Sequence, residues 1–216
     1  MSSEIKVNSL QDKTGTRVLA SDSGSAWSWG SGVPSGSIVQ VQFHQFGGLG
    51  DNESGAMTSL GQNNNYVVQA SGNTSGGGQT GVVDVTIPVT ITGSKMWIQS
   101  QWFGELVQDV VQDSVFFLWR NTTKLASGYT GGSPGNGETG IMAPSRTYHE
   151  AHVGSTPEVC FLQYFDTHGI SAGTTITYKL GFASNSTSIS ALYTNRTEGD
   201  GNEVGVSSLC VMELAP

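Results

Sequence analysis

The segment His149-Glu150-Ala151-His152 contains side chains that could bind a metal ion. A zinc-protease motif spaces its two histidines four residues apart, because positions i and i+4 share one face of a helix. The spacing here is three, which on a strand places the two imidazoles on opposite faces. A metal site would need both histidines and a distant carboxylate, whereas solvated polar residues near a strand start need no partner. We therefore expect no resident metal and no other cofactor.

Glycine-rich matches to catalytic motifs lack the flanking structure that those motifs need. Residues 131–135 (GGSPG) fit the G-x-S-x-G pattern of a hydrolase elbow, which requires a backbone N–H directly after the serine. Pro134 stands there and has no N–H. Residues 76–81 and 135–140 both spell G-x-G-x-x-G, but neither follows a predicted strand nor opens a predicted helix. We expect mobile loop tips in these segments and no enzyme.

An acidic glycine loop, residues 198–203 (EGDGNE), has a composition that suits calcium. It lacks the ligand spacing of a calcium-binding loop, so a plain hairpin turn is the prediction and an ion site the alternative. Cys160 and Cys210 both lie in apolar strand patterns, which favours two buried free thiols. A disulfide between them stays formally possible.

Charge and hydropathy exclude two classes of partner. The 216-residue chain carries a net charge of −8, and its 9 basic residues are scattered along it. A protein that binds duplex nucleic acid needs a basic stripe to displace phosphate counterions, so nucleic acid is not an expected partner. No apolar run approaches the roughly 18 residues of a membrane-spanning helix, so membrane insertion is not expected either.

Strand patterns fill the chain after residue 36, with turn-rich loops between them. The predicted strands are residues 38–46, 66–70, 81–91, 95–103, 114–120, 158–165, 174–183, 188–194 and 204–213. The two aromatic-rich segments, 95–103 and 114–120, are expected to pair, and residues 105–113 could be either a short helix or a loop with strand ends. Short strands at this spacing indicate a jelly-roll-like antiparallel β-sandwich with two sheets of four strands, an all-β fold with an extended N-terminal arm.

The first 36 residues form the predicted arm, and residues 37–216 form the predicted sandwich body. The expected attachment residues of the arm are the apolar positions Ile5, Val7, Leu10, Trp27 and Trp29. The sequence predicts a hairpin here, with one strand around Ile5 and Val7 and the other over residues 17–20. A lone hairpin is marginal in water. Disorder usually comes with few aromatics, so the two tryptophans favour docking on another molecule.

Several segments resemble virion fibre proteins of tailed bacteriophages, especially phages of marine bacteria. They are residues 5–10 (IKVNSL), 12–16 (DKTGT), 33–40 (VPSGSIVQ), 117–125 (FLWRNTTKL), 193–197 (YTNRT) and 207–214 (SSLCVMEL). The resemblance implies a homotrimeric β-rich knob whose N-terminal arm attaches to the virion. It leaves open a tail fibre, a head fibre or a capsid decoration. The short length and the lack of a repetitive shaft favour a compact spike or decoration.

The expected function is therefore that of a structural virion protein, made in the host cytoplasm and carried on the particle. Its arm would bind other virion proteins, of the capsid or the tail, by strand pairing and burial of its apolar side chains. An alternative is a receptor- or glycan-binding module that uses the loops of residues 127–150, with Tyr129 and Tyr148 facing a host glycan. A third hypothesis, a polysaccharide-cleaving enzyme, needs two carboxylates across a cleft and would usually have a longer β-helical body.

Overall fold

The structure is a computed structural model that describes residues 9–11, 17–21, 27–29, 33–47, 55–62, 64–107, 114–125, 139–146, 155–184, 191–198 and 203–216. Its strands are β1 (Ser9–Gln11), β2 (Arg17–Ser21), β3 (Trp27–Trp29), β4 (Ile38–Phe46), β5 (Gly55–Thr58), β6 (Asn64–Val67), β7 (Ser71–Gly72), β8 (Asp84–Pro88), β9 (Lys95–Val107), β10 (Ser114–Arg120), β11 (Thr123–Lys124), β12 (Ser145–Arg146), β13 (Glu158–Asp166), β14 (Thr175–Ser184), β15 (Ala191–Thr194) and β16 (Ser207–Leu214). The described residues contain no helix, so none of them forms an apolar helix able to cross a membrane.

The larger body sheet is built around β9. β13 runs antiparallel along one edge of β9, and the short β12 extends the sheet beyond β13. The other edge of β9 is shared, because β16 pairs with residues 95–101 and β15 with residues 104–107. β4 then pairs with β16, while β5 and β7 follow β15. The long central strand thus carries two shorter strands end to end on one side.

The smaller body sheet repeats this plan around β14. β10 pairs with one edge of β14 and turns back into β11, while β8 and β6 share the opposite edge. Pro88 ends β8, which pairs only with β14 in the described sheet. An edge strand tolerates a residue without a backbone N–H, and Pro88 stands at such a position.

The chain passes back and forth between the two sheets. β4, β9, β13 and β16 belong to the larger sheet, and β8, β10 and β14 to the smaller one, so these seven main strands alternate between the two sheets in chain order. Crossing between two antiparallel sheets in this way is the topology of a jelly roll. The predicted all-β sandwich is confirmed. Short additional strands raise the sheets from the expected four strands each to eight and five.

The core lies between the sheets and is rich in aromatic rings. The ring of Trp102 on β9 lies 4.7 Å from that of Phe116 on β10, and Phe116 lies 5.3 Å from Phe182 on β14. All three side chains are fully buried. The prediction that the two aromatic-rich segments pair with each other was therefore wrong. β9 and β10 lie in opposite sheets, where their rings pack across the core instead of side by side.

The N-terminal region forms a sheet of its own, in the order β1-β2-β3. The predicted strand over residues 17–20 is confirmed, but the sheet gains a third strand, Trp27–Trp29, that the hairpin prediction lacked. The body begins after a turn in which the N–H of Ser37 donates to the carbonyl of Pro34, with Gly36 at φ +79°. Positive φ at this position suits a type II turn and glycine. Gly36 and Ser37 then bond to Ala215 next to the C-terminus.

Candidate functional site

The outward-facing surface of the larger sheet carries an ordered pattern of side chains. Strand register places them in rows that cross β4, β16, β9 and β13. The rows are Val41, Met212, Trp97 and Phe165; Phe43, Cys210, Gln99 and Gln163; and Gln45, Ser208, Gln101 and Phe161. Cross-strand neighbours in such rows approach within about 5 Å, so each row is a continuous strip of surface. We call this surface the outer face.

The outer face exposes six large apolar side chains. Its large exposed side chains are Ile38 (50%), Val41 (51%), Phe43 (58%), Trp97 (37%), Phe161 (59%) and Phe165 (53%). Taking an aromatic side chain as 150–250 Å², these six leave about 500 Å² of apolar surface in contact with water. That value lies within the 300–600 Å² range of the largest patch on a typical monomer, which is often functional.

β4 contributes to this patch because its faces are reversed relative to an ordinary sandwich strand. The register places Val41 and Phe43 on one face of β4 and Gln40, Gln42 and His44 on the other. The apolar face, however, is the one that turns outward. Val41 and Phe43 lie opposite Met212 and Cys210 on the outer side of the sheet, so the polar side chains of β4 lie on the side toward β8, where Gln42 and His44 are themselves exposed.

The inward polar side chains of β4 find specific partners on other strands. Gln40 donates to the carboxylate of Glu213 at 2.6 Å and also to the carbonyl of Pro88. Nδ1 of His44 lies 3.2 Å from the carbonyl of Asp84 on β8. A one-residue register shift would turn every β4 side chain to the other face and break these bonds. The hydrogen bonds therefore hold Val41 and Phe43 on the outside.

Glu213 is the anchor of this arrangement. Its carboxylate is fully buried and accepts hydrogen bonds from the N–H and hydroxyl of Thr90, the N–H of Ile91, the hydroxyl of Ser94 and the amide of Gln40. Burial raises the pKa of this carboxyl, but the hydrogen bonds from Ser94, Thr90, Gln40 and Ile91 outweigh burial and leave the pKa below its ordinary value. Glu213 is therefore a charged group that ties the β8–β9 loop to β4 and β16.

A groove of about 300 Å³ crosses the polar half of the outer face. Phe43 and Phe161 line it together with Gln99, Gln101, Gln163, Ser208 and Cys210. Register puts Phe43 on β4 and Phe161 on β13, on opposite sides of the glutamines. The lining residues include amides, a hydroxyl and a thiol but no charged side chain, which suits an uncharged polar ligand or another uncharged protein surface.

The smaller sheet also has apolar side chains on its outward side, but the chain itself covers them. Phe117 and Trp119 are buried there in a cluster with Val67 and Ala183. A Cβ atom on Gly77 would lie 2.5 Å from the Trp119 ring, so the backbone of the glycine-rich loop packs directly on the indole. The prediction of a mobile tip at residues 76–81 was therefore wrong at Gly77, which packs against Trp119. The two sheets thus differ in whether their outward apolar side chains are covered.

The predicted arm residues lie partly within the described structure. Leu10 pairs with Leu19 and Leu19 with Trp29, so these three positions form one cross-strand row. Trp27 lies two residues from Trp29 on the same strand, at the position paired with Ser21. Ile5 and Val7 lie outside the described residues. The register thus places Leu10 and Trp29, two of the five predicted attachment positions, in one cross-strand row.

Several other predicted features fall outside the described residues. They are Tyr129 and Tyr148, the segment 149–152, the elbow match at 131–135 and residues 108–113 of the ambiguous segment. The acidic loop is described at its ends, where Arg196 bridges Val204 and the N–H of Thr197 donates to the carbonyl of Glu203. These contacts close a hairpin, as predicted. Within the described part of the chain, no cluster of three metal-ligating side chains occurs.

The two cysteines are free, which confirms the thiol prediction over a disulfide. Their positions differ. Cys160 is buried in the core, and burial raises the pKa of its thiol to about 12. Cys210 is only partly buried, because it lies on the outer face beside Phe43. The expectation that both thiols are buried was therefore correct only for Cys160.

A buried polar network closes one end of the sandwich. Asp166 accepts a hydrogen bond from Tyr178 at 2.6 Å and forms an ion pair with Arg120 at 2.8 Å. Burial, reinforced by the hydrogen bond to Asp166, raises the pKa of Tyr178. His168 accepts the N–H of Ile170, and burial lowers its pKa. Asp166, Tyr178 and Arg120 are brought together only by the fold, so no local sequence pattern predicted this network.

Comparisons with known proteins leave the chain without an assigned family. No protein-family model matches it, and no curated protein matches it.

Proposed function

We propose that the chain is a structural subunit of a bacteriophage virion, a fibre, spike or capsid-decoration protein. Residues 1–36 attach it to the particle, and the jelly-roll body of residues 37–216 is displayed outward. The fibre-like segments of the sequence support this proposal, and so does the division of the described chain into a small N-terminal sheet and a sandwich. Three copies form the displayed knob, and proteins of the capsid or tail receive the arm.

The N-terminal sheet is the observation that carries the proposal. Its strands are three, five and three residues long, yet its register lines up Leu10, Leu19 and Trp29 in one row. A sheet of such short strands buries little apolar surface by itself, so packing of its aligned row against another molecule would stabilise it. Strand addition to a neighbouring protein, with the aligned residues in pockets, fits these dimensions.

Receptor or glycan binding is the second candidate function, and the groove of the outer face supports it. Aromatic rings stack on the apolar faces of ligands, and glutamine amides both donate and accept hydrogen bonds. Phe43 and Phe161 flank Gln99 and Gln163 in this way. The apolar row directly beside the groove, Val41 to Phe165, favours a protein partner over a sugar and makes this the weaker candidate.

Deletion of residues 2–33 tests the attachment role. The truncated chain should remain soluble, melt within about 2 °C of the full chain and fail to enter assembled particles, because the body sheets do not use the deleted strands. Incorporation is measured by mass spectrometry of particles purified after complementation with tagged protein. Normal incorporation of the truncated chain would rule out the arm as the attachment element.

Point substitutions in the N-terminal sheet refine that test. Leu10→Asp and Trp29→Asp place a charge in the aligned row, whereas Ser28→Asp places the same charge in the neighbouring row, which pairs Ala20. The first two changes should reduce incorporation, and the Ser28 change should not. Equal effects of all three would show that the row does not contact the particle.

A further inference from the structure

We propose that the outer face is the surface through which copies of this chain contact one another. The occupant of the apolar rows and of the groove is the same face of neighbouring copies. This inference rests on the proposed structural role, because it names the contact between the subunits of the displayed knob. It draws on the sandwich alone and is independent of the N-terminal sheet.

The size of the apolar surface fits an interface between subunits. A standard protein interface buries about 800 Å² on each partner. The six exposed apolar side chains supply about 500 Å² of this. Met212, Cys210, Ser208 and the glutamine rows lie between them on the same face and provide the remainder. A flat sheet face can also pack against another sheet about 10 Å away, as the two sheets of a sandwich do.

The charge distribution points to a second copy as the occupant. The chain has a net charge of −8, so two copies repel each other over most of their surfaces. The rows of the outer face contain no acidic residue among the described strands, and Lys95 stands at their margin, with its ammonium 5.6 Å from the Phe165 ring. Depletion of charge with enrichment of aromatic residues and methionine characterises the core of protein interfaces. Contact through this face minimises repulsion between like-charged chains.

The amides of the groove are self-complementary. A glutamine side chain carries both a donor and an acceptor, so it can pair with the same residue of an identical chain across a symmetry axis. Gln99 and Gln163 lie next to each other in one row, on the strands β9 and β13. A charged partner would be matched better by charged side chains than by these amides. An identical chain presents the same amides, so donors and acceptors match across the contact.

The reversal of β4 adds an independent reason. The outward turn of Val41 and Phe43 leaves two apolar side chains of this edge strand in water, while Gln42 and His44 on its other side are exposed as well. The smaller sheet shows the monomeric solution, because its outward Trp119 is covered by the loop at Gly77. The exposed apolar side chains of the larger sheet are shielded from water in the same way only when another molecule covers them.

The test is to charge the outer face and measure the mass of the assembly. Phe43→Lys and Phe161→Lys lie on opposite sides of the face, at positions more than half exposed, so neither change disturbs the core. Met142→Lys is the matched control, because Met142 is 48% exposed and its strand bridge is to Phe116 in the smaller sheet. Native mass spectrometry of the full chain should give a multiple of 22.7 kDa for the wild type and the control.

The double variant should shift to the mass of one chain while keeping the wild-type circular dichroism spectrum. Thiol labelling gives a second readout, since Cys210 lies within the proposed interface and Cys160 in the core. In the wild type both thiols should react slowly. In the double variant Cys210 alone should become fast, with Cys160 as the internal standard for an intact fold.

Three outcomes would overturn the inference. A wild-type monomer with a fast Cys210 would mean that the face is free, and a neutral glycan would then be the ligand to test. A monomer with a slow Cys210 would mean that another segment of the same chain covers the face. A double variant that keeps the wild-type mass would place the interface elsewhere. A dimer would support the inference but count against the proposed trimer, so the two proposals fail separately.

Discussion

Replacing Glu213 by glutamine should destabilise the sandwich more than an average substitution does. The carboxylate is fully buried on β16 and accepts bonds from four residues. Glutamine has nearly the same shape, so the change leaves no cavity. It removes the charge and converts one acceptor oxygen into a donor, which makes the effect a measure of electrostatics and hydrogen bonding alone.

The magnitude follows from the individual bonds. If the glutamine keeps its oxygen at the Oε1 position, it still accepts from Thr90, Ile91 and Ser94, but as a neutral group. Each of these bonds then weakens by about 1 kcal/mol. The new amide points at the Gln40 amide, where two donors meet, and at the Thr90 hydroxyl, which can no longer donate there. The Gln40 bond is lost at a cost of about 1.5–3 kcal/mol. Bonds that share one carboxylate are not additive, so we expect a total of about 3–5 kcal/mol.

The assay is thermal and urea denaturation of the wild type and Glu213→Gln. For a chain of this size, 1 kcal/mol corresponds to about 2–4 °C, so the melting temperature should fall by about 10 °C. Glu198→Gln is the control, because within the described chain the carboxylate of Glu198 accepts no hydrogen bond and is only half-buried. The control should melt close to the wild type.

The dependence on pH tests the cause. The pKa of Glu213 is lower in the folded chain than its ordinary value of 4.5, so the folded state binds fewer protons in this range. Its contribution to stability is fully present above pH 4.5 and is lost as the pH falls through the folded pKa. The gap between wild type and Glu213→Gln should therefore be constant near neutrality and narrow in acid. A gap below about 1 kcal/mol, or one that does not change with pH, would refute the role of the charge.

Two further predictions concern the sandwich. Tyr178→Phe removes the 2.6 Å hydrogen bond to Asp166 and should cost about 1.5–3 kcal/mol in urea denaturation, and an unchanged midpoint would contradict the proposed network. Gly104→Ala places a Cβ against the carbonyl of Tyr193 where β9 meets β15, and should cost about 3 kcal/mol. Gly78→Ala is its control, because a Cβ there meets nothing within 4 Å and should leave the melting temperature unchanged.

Local patterns in the sequence predicted the strands well because period-two alternation and turn residues are local properties. β4 and β10 have the predicted bounds. Local patterns could not predict which face of β4 turns outward. That choice depends on the hydrogen bond from Gln40 to the carboxylate of Glu213, which lies 173 residues away in the sequence. An alternating strand normally turns its apolar side inward. The distant Glu213 and the carbonyls of Pro88 and Asp84 reverse that preference.

Strand pairing shows the same limit. β9 and β10 are adjacent in sequence and rich in aromatic residues, and both features suggested a hairpin. β10 has four consecutive buried residues, Phe116 to Trp119, so both of its faces are covered. A strand covered on both sides belongs in the middle of a layered fold, and this pattern was the available signal that β9 and β10 lie in different sheets. The covering of Trp119 by Gly77 depends on a close approach of backbone to indole that a glycine-rich sequence alone does not predict.

The Glu213 anchor connects the stability of the sandwich to its proposed assembly. Gln40 and Glu213 face each other on paired strands, and the next residues along these strands present Val41 and Met212 on the outer face. Weakening the anchor should therefore loosen the outer face at temperatures where the core is still folded, because β4 is an edge strand held on one side by β16. Glu213→Gln should then release subunits before it unfolds them, and the temperature of dissociation should fall further than that of the core transition. If both temperatures fall equally, the anchor stabilises the fold as a whole and does not specifically order the interface.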